Sequence, residues 1–342
     1  MIYHITCNTD DNYAQHCIAM LCSLFENNTD LNLCVHVLIN SLSKETKDYM
    51  LQLGSRYHNT VIFHKVDESE LNGLQYRKNR PLTKAAYYRI LLPDIISMEI
   101  NRILYLDCDM IVLKSIKELF EIDLDGYALA ATEDAAPYSA VHRQQLGLDY
   151  NSHAFCSGIM MINLKYWRDN QSLTKLLEFS RKKRNPVYLH DQDALNHVFK
   201  HQWFCLPPKF NHTTMSISPL AKREFDNHEY IYDPIIWHYS SELKPWFDVF
   251  FPGRKYYIEY LKRSKYHDSQ FIKKRFSFKL NAYFKVIRYY TSRYVYRVLP
   301  DIIEVLISDL IVCMQLITKA VTNPTNLNHF LLKRWEFKKR QR

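Results

Sequence analysis

The stretch ILYLDCDMIV, from Ile103 to Val112, decides how the fold of this 342-residue chain is interpreted. A run of apolar residues leads into two aspartates that are one residue apart, and apolar residues follow. Because alternate residues of a strand face the same side, Asp107 and Asp109 can converge while Cys108 turns away. Two carboxylates that share a site repel each other unless a cation lies between them. The stretch predicts a buried strand that ends at a divalent cation site, with a solvated strand end as the simpler alternative.

The segments that precede this stretch alternate between strand and helix patterns. Three segments have strand patterns: IYHITCN, NLCVHVLIN and TVIFHKV. Of the two segments between them, the first has the apolar spacing of a helix and the second has a helix start at Ser43. A β-α-β-α-β order predicts a parallel sheet with helices on both faces. Ligands of such sheets bind beyond the carboxyl ends of the strands, which is where Asp107 and Asp109 lie in the sequence.

The segments that follow continue the same α/β pattern up to about residue 250. TKAAYYRILLPDII predicts a helix that ends near Pro93, and YALAATED and GIMMINL predict two more core strands. QSLTKLLEFSRKK and DQDALNHVFK predict two helices. No internal repeat or linker interrupts this part of the chain, so residues 1–250 are expected to form one domain.

Composition excludes several common functions. The chain has 47% hydrophobic residues, enough for a large core, and six glycines, none of which has the spacing of a P-loop, a dinucleotide-binding loop or a nucleophile elbow. The eight cysteines form no C-x-x-C pair, so reduced buried thiols are expected in preference to disulfides or structural zinc. The N-terminus lacks the basic and apolar regions of a secretory signal, which predicts a cytoplasmic protein.

The charge of the chain is divided unequally between its two parts. Residues 251–342 contain 20 Lys and Arg against 6 Asp and Glu, whereas residues 1–250 contain 25 against 30. Such an asymmetry predicts a separate basic segment that meets an anionic surface.

Two further stretches carry residues suited to chemistry. HDQDALN contains Asp191 and Gln192 at a predicted helix start, where Asp191 could also be a plain N-cap. WHYSSELKPW, residues 237–246, contains His238 and Lys244 in a loop-like segment with proline. Histidine and lysine beside a carboxylate pair suit a metal and phosphate site, although a lone histidine is usually structural.

Five motifs in order, TDDNYA, LDCD, INLKYW, DQDALN and HYSSELKPW, resemble those of glycosyltransferase family eight. The chain is similar to the bacterial lipopolysaccharide galactosyl- and glucosyltransferases of that family over roughly residues 1–250. The resemblance implies a GT-A type, Rossmann-like mixed sheet flanked by helices, here with a basic helical C-terminal extension.

The resemblance also implies roles for individual residues. Mn²⁺, or Mg²⁺ in its place, would be bound by Asp107, Asp109 and His238, and the imidazole favours Mn²⁺. The uracil of a UDP-sugar donor would be bound by Asp10, Asn12 and Tyr13, the last of which could instead be a packing residue at a helix start. The diphosphate would contact Lys244 and Ser241, and the sugar would be surrounded by Arg89, Asp134, Cys156, Asp191 and Gln192. Asp107 would contact the donor as well as the metal.

Members of the family retain the configuration of the anomeric carbon, and the resemblance implies retention here. The residue expected below the sugar is Gln192, a poor nucleophile, so a front-face mechanism is predicted, with Asp191 orienting the sugar hydroxyls. The chain departs from the family at Cys156, where relatives commonly have an asparagine, and at Ser241, where many have a glycine. A thiol cannot replace an amide's paired donor and acceptor, so the resemblance does not predict whether this chain prefers glucose or galactose.

The C-terminal segment, residues 251–342, mixes basic and aromatic residues and includes an amphipathic helical pattern around DIIEVLISDLIVCMQLITKA. It is too short and too acidic to span a bilayer. Peripheral binding to the anionic inner face of the cell membrane is the leading interpretation. The alternatives are a helix pair that packs on the catalytic domain or forms a dimer, and nucleic-acid binding, which no fold motif supports and which is not expected.

The sequence therefore predicts a retaining hexosyltransferase that transfers glucose or galactose from a UDP-sugar to a lipopolysaccharide, capsule or other cell-surface glycan or glycolipid. The alternatives are a catalytically impaired protein of the same fold that binds membrane or nucleic acid, and a nucleotidyltransferase, which would also pair aspartates with a metal and phosphates.

Overall fold

The computed structural model describes most of the first 273 residues. The predicted C-terminal helices and Ser241 lie outside the described residues. The described ranges are 1–75, 84–134, 138–149, 152–182, 189–213, 233–240, 244–247 and 251–273.

A mixed sheet forms the centre of the molecule, as predicted. Its order is β3-β2-β1-β4-β7-β6-β8, in which β3, β2, β1 and β4 are parallel to one another and β7 is antiparallel to both of its neighbours. A small second sheet pairs β5 with β9 in antiparallel orientation. The strands are β1 Ile2–Asn8, β2 Asn32–Ile39, β3 Thr60–Lys65, β4 Arg102–Leu106, β5 Met110–Val112, β6 Leu129–Glu133, β7 Phe155–Asn163, β8 Trp203–Leu206 and β9 Ile236–His238.

Helices cover both faces of the sheet, and the longer ones follow the amphipathic patterns in the sequence. Ser43 accepts a hydrogen bond from the Thr46 N–H and so caps the second helix, as its position predicts. The helices are α1 Ala14–Glu26, α2 Lys44–Arg56, α3 Leu92–Ile95, α4 Lys117–Glu121, α5 Ala140–Leu146, α6 Leu164–Asp169, α7 Ser172–Arg181, α8 His190–Phe199, α9 Arg254–Lys262 and α10 Gln270–Lys273, with 3₁₀ turns at Glu68–Leu71, Lys84–Leu91 and Pro208–Phe210.

Strand β4 is buried on both faces, which explains its continuous apolar sequence. Leu104 and Leu106 belong to the core cluster on one side of the sheet, and Ile103 and Tyr105 belong to the cluster on the other side. All four side chains have 0% exposure. Apolar side chains on both faces stabilise the strand by roughly 2 kcal/mol for each fully buried residue.

Two local predictions differ from the structure. The helix expected over residues 83–96 is a 3₁₀ helix from Lys84 to Leu91. Pro93 does not end that helix but lies in the first turn of the short helix α3 that follows it. Proline is compatible with that position because the N–H it lacks would have no partner in the helix. Asp107, Cys108 and Asp109 lie in the turn between β4 and β5, so a turn, and not strand alternation, brings the two carboxylates together.

Residues 251–273 pack against the N-terminal half of the chain. Tyr257 OH lies 2.7 Å from His16 Nδ1 on α1, and Asn27 Nδ2 donates to Tyr260 OH at 2.7 Å. Tyr257, Tyr260 and Leu261 are buried in the same core cluster as α1. Within the described parts of the chain, no helix has both the length and the apolar composition needed to cross a membrane.

Candidate active site

Three chain segments converge where β4 ends. The turn after β4 carries Asp107 and Asp109, and β5 then pairs with β9 so that Met110 lies opposite His238. His238 Nε2 is 3.3 Å from Asp109 Oδ1 and 3.9 Å from Asp107 Oδ2. One ligand atom of each residue lies within 4.8 Å of the other two. We call Asp107, Asp109 and His238 the acidic cluster.

The acidic cluster has the donor set of a divalent cation site. Asp109 Oδ1 is buried and lies 3.3 Å from His238 Nε2 as an ion pair, and it forms no hydrogen bond with the residues that the structure describes. Carboxylate oxygens with one imidazole nitrogen are ligands that Mn²⁺ and related cations accept. In the protein alone, burial lowers the pKa of His238, but Asp109 outweighs that effect and raises the pKa to about 10. The protonated His238 therefore places a positive charge where a cation would bind.

His238 is held in one orientation by neighbouring side chains. Asn211 Nδ2 donates to Thr132 Oγ1 at 2.8 Å, which leaves Asn211 Oδ1 as the acceptor for His238 Nδ1, also at 2.8 Å. With the Nδ1 proton held by Asn211, Nε2 faces the carboxylates, and its lone pair becomes available when a cation displaces the second proton. Gly158 on β7 leaves room for the ring, because a Cβ there would lie 2.4 Å from His238 Cε1 and 3.0 Å from Asp107 Oδ2.

Lys244 completes the charge arrangement of the acidic cluster. Its Nζ is 2.5 Å from Asp109 Oδ2 and donates to the Tyr239 carbonyl at 2.7 Å. Burial raises the pKa of Asp109, but Lys244 and His238 together outweigh that effect and hold it well below its usual range. Asp109 is therefore ionised and ready to bind a cation at neutral pH.

A buried arginine joins the acidic cluster to the start of α8. Arg89 Nη2 is 2.8 Å from Asp107 Oδ1, and Arg89 Nε is 3.1 Å from Asp191 Oδ2. Burial raises the pKa of Asp191 to about 6, although Arg89 opposes the shift. Apart from this ion pair, Asp191 Oδ2 forms no hydrogen bond within the described part of the chain. The N-cap role considered for Asp191 is wrong, because Asp193 accepts the hydrogen bond from Leu189 N.

Gln192 is held by hydrogen bonds at both ends of its amide. Its Oε1 accepts from Ser157 N at 2.9 Å and lies 3.1 Å from Ser157 Oγ. Its Nε2 donates to Asp134 Oδ2 at 2.7 Å and lies 2.9 Å from Tyr138 OH. Cys156, on the same strand as Ser157, is close enough to His238 and Arg89 to affect the pKa of both groups. Asp134, Cys156 and Gln192 thus border the region where Arg89 and the acidic cluster meet.

An exposed aromatic ring lies on the other side of the acidic cluster, at the start of α1. Tyr13 is 41% exposed, and its ring meets Trp246 edge to face with centroids 5.9 Å apart. Burial and the charges of Asp109 and Asp107 raise the pKa of the Tyr13 hydroxyl, so the ring is near those carboxylates. Asp10 Oδ1 accepts the Tyr13 N–H at 2.9 Å, and Asn12 lies exposed in the same turn. His16 stacks on Trp246 at 3.6 Å, which ties the segment after Lys244 to α1.

The structure adds residues that the sequence patterns did not identify. Ser157 and Asn211 contact Gln192 and His238, which are distant in the chain, and no local signal marks them. Tyr105 donates to Asp107 from two positions away, and Tyr138 contacts both Asp134 nearby and Gln192 far along the chain. Gly158 had a usable signal, because a glycine inside a strand often marks a close approach of another group. Of the predicted site residues, Ser241 lies outside the described residues, Asp107, Asp109, His238, Lys244 and Arg89 are brought together at the end of β4, and Asp10, Asn12 and Tyr13 lie in the turn before α1.

Comparison with known proteins gives a consistent result. The profile of glycosyl transferase family 8 matches residues 4–249. General stress protein A of Bacillus subtilis (strain 168) is 31% identical over 277 residues, which cover 78% of this chain and 95% of that protein. A lipopolysaccharide 1,2-glucosyltransferase of Escherichia coli is 27% identical over 72% of this chain and 74% of that protein.

Solved structures agree on the fold. A crystal structure of the galactosyltransferase LgtC with donor and acceptor sugar analogues has a TM-score of 0.70 and 24% identity, and the match covers 78% of this chain and 96% of that one. That level of identity supports the GT-A type fold alone, and the profile match supplies the family. A profile that matches from residue 4 to residue 249, together with a shared fold, shows that this chain belongs to glycosyltransferase family 8 and is a glycosyltransferase.

Proposed function

We propose that this glycosyltransferase uses Mn²⁺ to transfer glucose or galactose from a UDP-sugar to a glycan or glycolipid of the cell surface, with retention of the anomeric configuration. The observation that carries the proposal is the convergence of Asp107, Asp109 and His238, in which a buried carboxylate oxygen of Asp109 faces the imidazole and forms no hydrogen bond with the described residues. The relatives support the choice of sugar and acceptor, since they include a lipopolysaccharide glucosyltransferase and a galactosyltransferase.

The acidic cluster and Lys244 are assigned to the diphosphate. A divalent cation bound by Asp107, Asp109 and His238 would neutralise the charge that develops on departing UDP. The Lys244 ammonium, already 2.5 Å from Asp109, is close enough to bind a phosphate oxygen beside the cluster. One pair of unit charges about 4 Å apart contributes about 4 kcal/mol at an effective dielectric of about 20, so these groups can lower the barrier substantially. We assign Ser241 to the same diphosphate contact.

The turn before α1 is assigned to the uracil. The exposed Tyr13 ring offers a surface on which a base can stack. Asp10 uses one carboxylate oxygen for the Tyr13 N–H, so its other oxygen can accept the imide N–H of uracil. Asn12 can pair with a uracil carbonyl from the same turn.

Arg89, Asp134, Cys156, Asp191 and Gln192 are assigned to the donor sugar. Asp191 Oδ2 pairs with Arg89 but forms no hydrogen bond with the described residues, so it is suited to accept one from a sugar hydroxyl. Gln192 Oε1 lies within hydrogen-bond distance of both the N–H and the hydroxyl of Ser157, and an oxygen held in this way is a poor nucleophile. We therefore favour a front-face reaction. The acceptor oxygen bonds to the anomeric carbon on the face from which UDP leaves, and the acceptor proton passes to the leaving phosphate.

We further propose that residues 1–250 are the catalytic domain, against which residues 251–273 pack, and that the basic tail, residues 251–342, binds the anionic inner face of the cell membrane through the residues that follow 273. The charge asymmetry supports this, since each Lys or Arg near an anionic surface contributes about 1 kcal/mol. Sedimentation with vesicles that contain anionic lipid, over a salt series, should show binding that weakens as salt increases. Equal binding to neutral vesicles, or stronger binding to duplex DNA, would count against this assignment.

The central experiment is a screen of UDP-glucose, UDP-galactose and their N-acetyl forms with purified protein, first without and then with lipopolysaccharide or capsule acceptors. We expect UDP release that requires Mn²⁺ and that increases with the correct acceptor. Release of pyrophosphate in place of UDP would identify a nucleotidyltransferase. Failure to bind UDP in the presence of Mn²⁺ would contradict the proposal and favour a catalytically impaired protein of this fold.

A further inference from the structure

A second group of potential metal ligands lies on β1 and β2, on the other side of the sheet from the acidic cluster's partner strands β5 and β9. His4 pairs in register with Cys34 on the neighbouring strand, and His36 follows two residues later on the same face. His4 Nδ1 is 3.1 Å from His36 Nε2, and Cys34 Sγ is 3.6 Å from that same nitrogen. One ligand atom of each of the three lies within 4.8 Å of the others. We call His4, Cys34 and His36 the histidine–cysteine cluster.

The spacing of these atoms matches the coordination sphere of a zinc-like cation. Zinc binds nitrogen at about 2.0–2.1 Å and thiolate sulfur at about 2.3 Å, so tetrahedral ligands lie about 3.3 Å apart for two nitrogens and about 3.6 Å apart for nitrogen and sulfur. The observed separations of 3.1 and 3.6 Å are close to these edges. In the metal-free protein His36 Nε2 can accept a hydrogen bond from His4 Nδ1 or Cys34 Sγ, and one cation between the three atoms would replace these contacts. His4 is only half-buried, so solvent can supply the fourth ligand.

A fourth residue orients the central ligand. His64 Nε2 on β3 lies 2.9 Å from His36 Nδ1 and stacks on that ring with centroids 5.1 Å apart. This contact occupies His36 Nδ1 and turns Nε2 toward His4 and Cys34. Metal-binding histidines commonly use their second nitrogen in this way, and removal of such a partner costs about 10- to 100-fold in metal affinity.

We propose that His4, Cys34 and His36 form a binding site for Zn²⁺ or a similar borderline divalent cation, with His64 as its positioning residue. The site is separate from the acidic cluster and does not depend on the donor assigned above. A cation bound there would join β1 to β2 by coordinate bonds and stabilise the parallel half of the sheet. It differs in chemistry from the acidic cluster, since thiolate and imidazole select zinc-like cations over Mg²⁺ or Mn²⁺.

Cobalt is a suitable probe, because Co²⁺ bound by thiolate gives an intense near-ultraviolet charge-transfer band that carboxylate sites do not give. Metal-free full-length protein titrated with Co²⁺ should show this band and the visible bands of a tetrahedral ion, and Zn²⁺ should displace both. Cys34→Ser and His36→Gln should lose the charge-transfer band, and His64→Gln should weaken Co²⁺ binding by about 10- to 100-fold. Cys205→Ser is the matched control, because Cys205 is an exposed free thiol outside the cluster.

Two outcomes of the cobalt titration would overturn the proposal: no thiolate band in the parent protein, or a band that survives Cys34→Ser.

A second measurement uses the parent protein, so a folding defect in a variant cannot obscure the result. Mass spectrometry after timed alkylation should show that Zn²⁺ slows labelling of Cys34 at least tenfold while labelling of Cys205 is unchanged. Zn²⁺ at about 100 times its dissociation constant should also raise the Tm by about 5 °C. An unchanged labelling rate at Cys34 would contradict zinc binding there.

Discussion

The acidic cluster and the histidine–cysteine cluster are built on the same central sheet in opposite ways. His4, Cys34 and His36 come from two adjacent strands in register, so forming the sheet is enough to bring them together. The acidic cluster joins residues from positions 107, 109 and 238, and it exists only where the turn after β4 and the β5–β9 pairing have formed. The first arrangement is a by-product of sheet geometry, and the second depends on a contact between distant parts of the chain.

This difference in construction has consequences for sensitivity. The acidic cluster depends on several supporting contacts, including the Asn211 hydrogen bond and the space left by Gly158, so small displacements should weaken it. The histidine–cysteine cluster should respond mainly to loss of a ligand. Donor type also separates the two clusters, because oxygen-rich sites suit Mn²⁺ and sulfur-containing sites suit zinc-like cations. Variants can therefore disable one cluster and leave the other intact.

The largest effect is expected for Asp109→Asn. The substitution replaces one carboxylate oxygen with an amide NH2, which cannot bind a cation, and removes the negative charge that pairs with His238 and Lys244, so UDP release in Mn²⁺ should fall about 1000-fold. Asp30→Asn, at an exposed acid in a turn, is the control and should keep full activity. The cobalt–thiolate band should be unchanged in Asp109→Asn. Retention of more than a tenth of the activity would remove Asp109 from the proposed site.

Gly158→Ala should lower activity by about 100-fold without loss of fold. The new Cβ would lie 2.4 Å from His238 Cε1, so the ring must move, and a displacement of about 1 Å is enough for such a loss. Isothermal titration should show weaker Mn²⁺ binding. Gly54→Ala is the matched control, because its Cβ meets Val61 Cγ2 at 2.8 Å, away from the cluster. That variant should lower the Tm and leave Mn²⁺ affinity unchanged, whereas equal Mn²⁺ affinity in both variants would refute the steric argument.

Asn211→Ala should weaken Mn²⁺ binding by about 10- to 100-fold. It removes the acceptor that holds the proton on His238 Nδ1, so the ring can turn its Nε2 away from the carboxylates. Asn211→Asp keeps an acceptor in the same place and should recover most of the affinity. If Asn211→Ala binds Mn²⁺ as tightly as the parent, the orientation of His238 has another cause.

The same contrast explains which features could be predicted from sequence. Strands β1 to β3 and helices α1 and α2 follow local periodicity, and the carboxylates at positions 107 and 109 lie within one short stretch. Those features were predictable because neighbours in the chain determine them. Periodicity could not separate a 3₁₀ helix from an α-helix over Lys84–Leu91, because both place apolar residues three or four positions apart.

Residues brought together by distant pairing were harder to predict. His238 entered the predicted site through the family resemblance, since the short strand β9 has no distinctive pattern of its own. Asn211 and Ser157 act through hydrogen bonds to residues 27 and 35 positions away, respectively, and nothing in their local sequence marks them. The histidine–cysteine cluster has no metal-binding spacing in the sequence, because strand register creates it.

The smallest effect concerns pH and tests the state of Asp191. Burial raises its pKa from an ordinary value of 3.8 to about 6, and we expect the ionised form to be the active one, because it pairs with Arg89 and accepts a sugar hydroxyl. Activity should therefore be present above pH 6 and be lost as the carboxyl gains a proton below it. The value of kcat/KM at pH 5 should be about tenfold lower than at pH 7, since about one molecule in ten is then ionised.

The pH profile of Asp191→Asn separates this residue from other acids. An amide cannot ionise, so the variant should have lower activity at every pH and should lack the inflection near pH 6. Asp107 and Asp109 also border the site, but Lys244 and His238 hold the pKa of Asp109 well below its usual range, so that group stays ionised throughout. An inflection near pH 6 that persists in Asp191→Asn would assign the titration to a different group and remove the argument that Asp191 must be charged to bind the donor sugar.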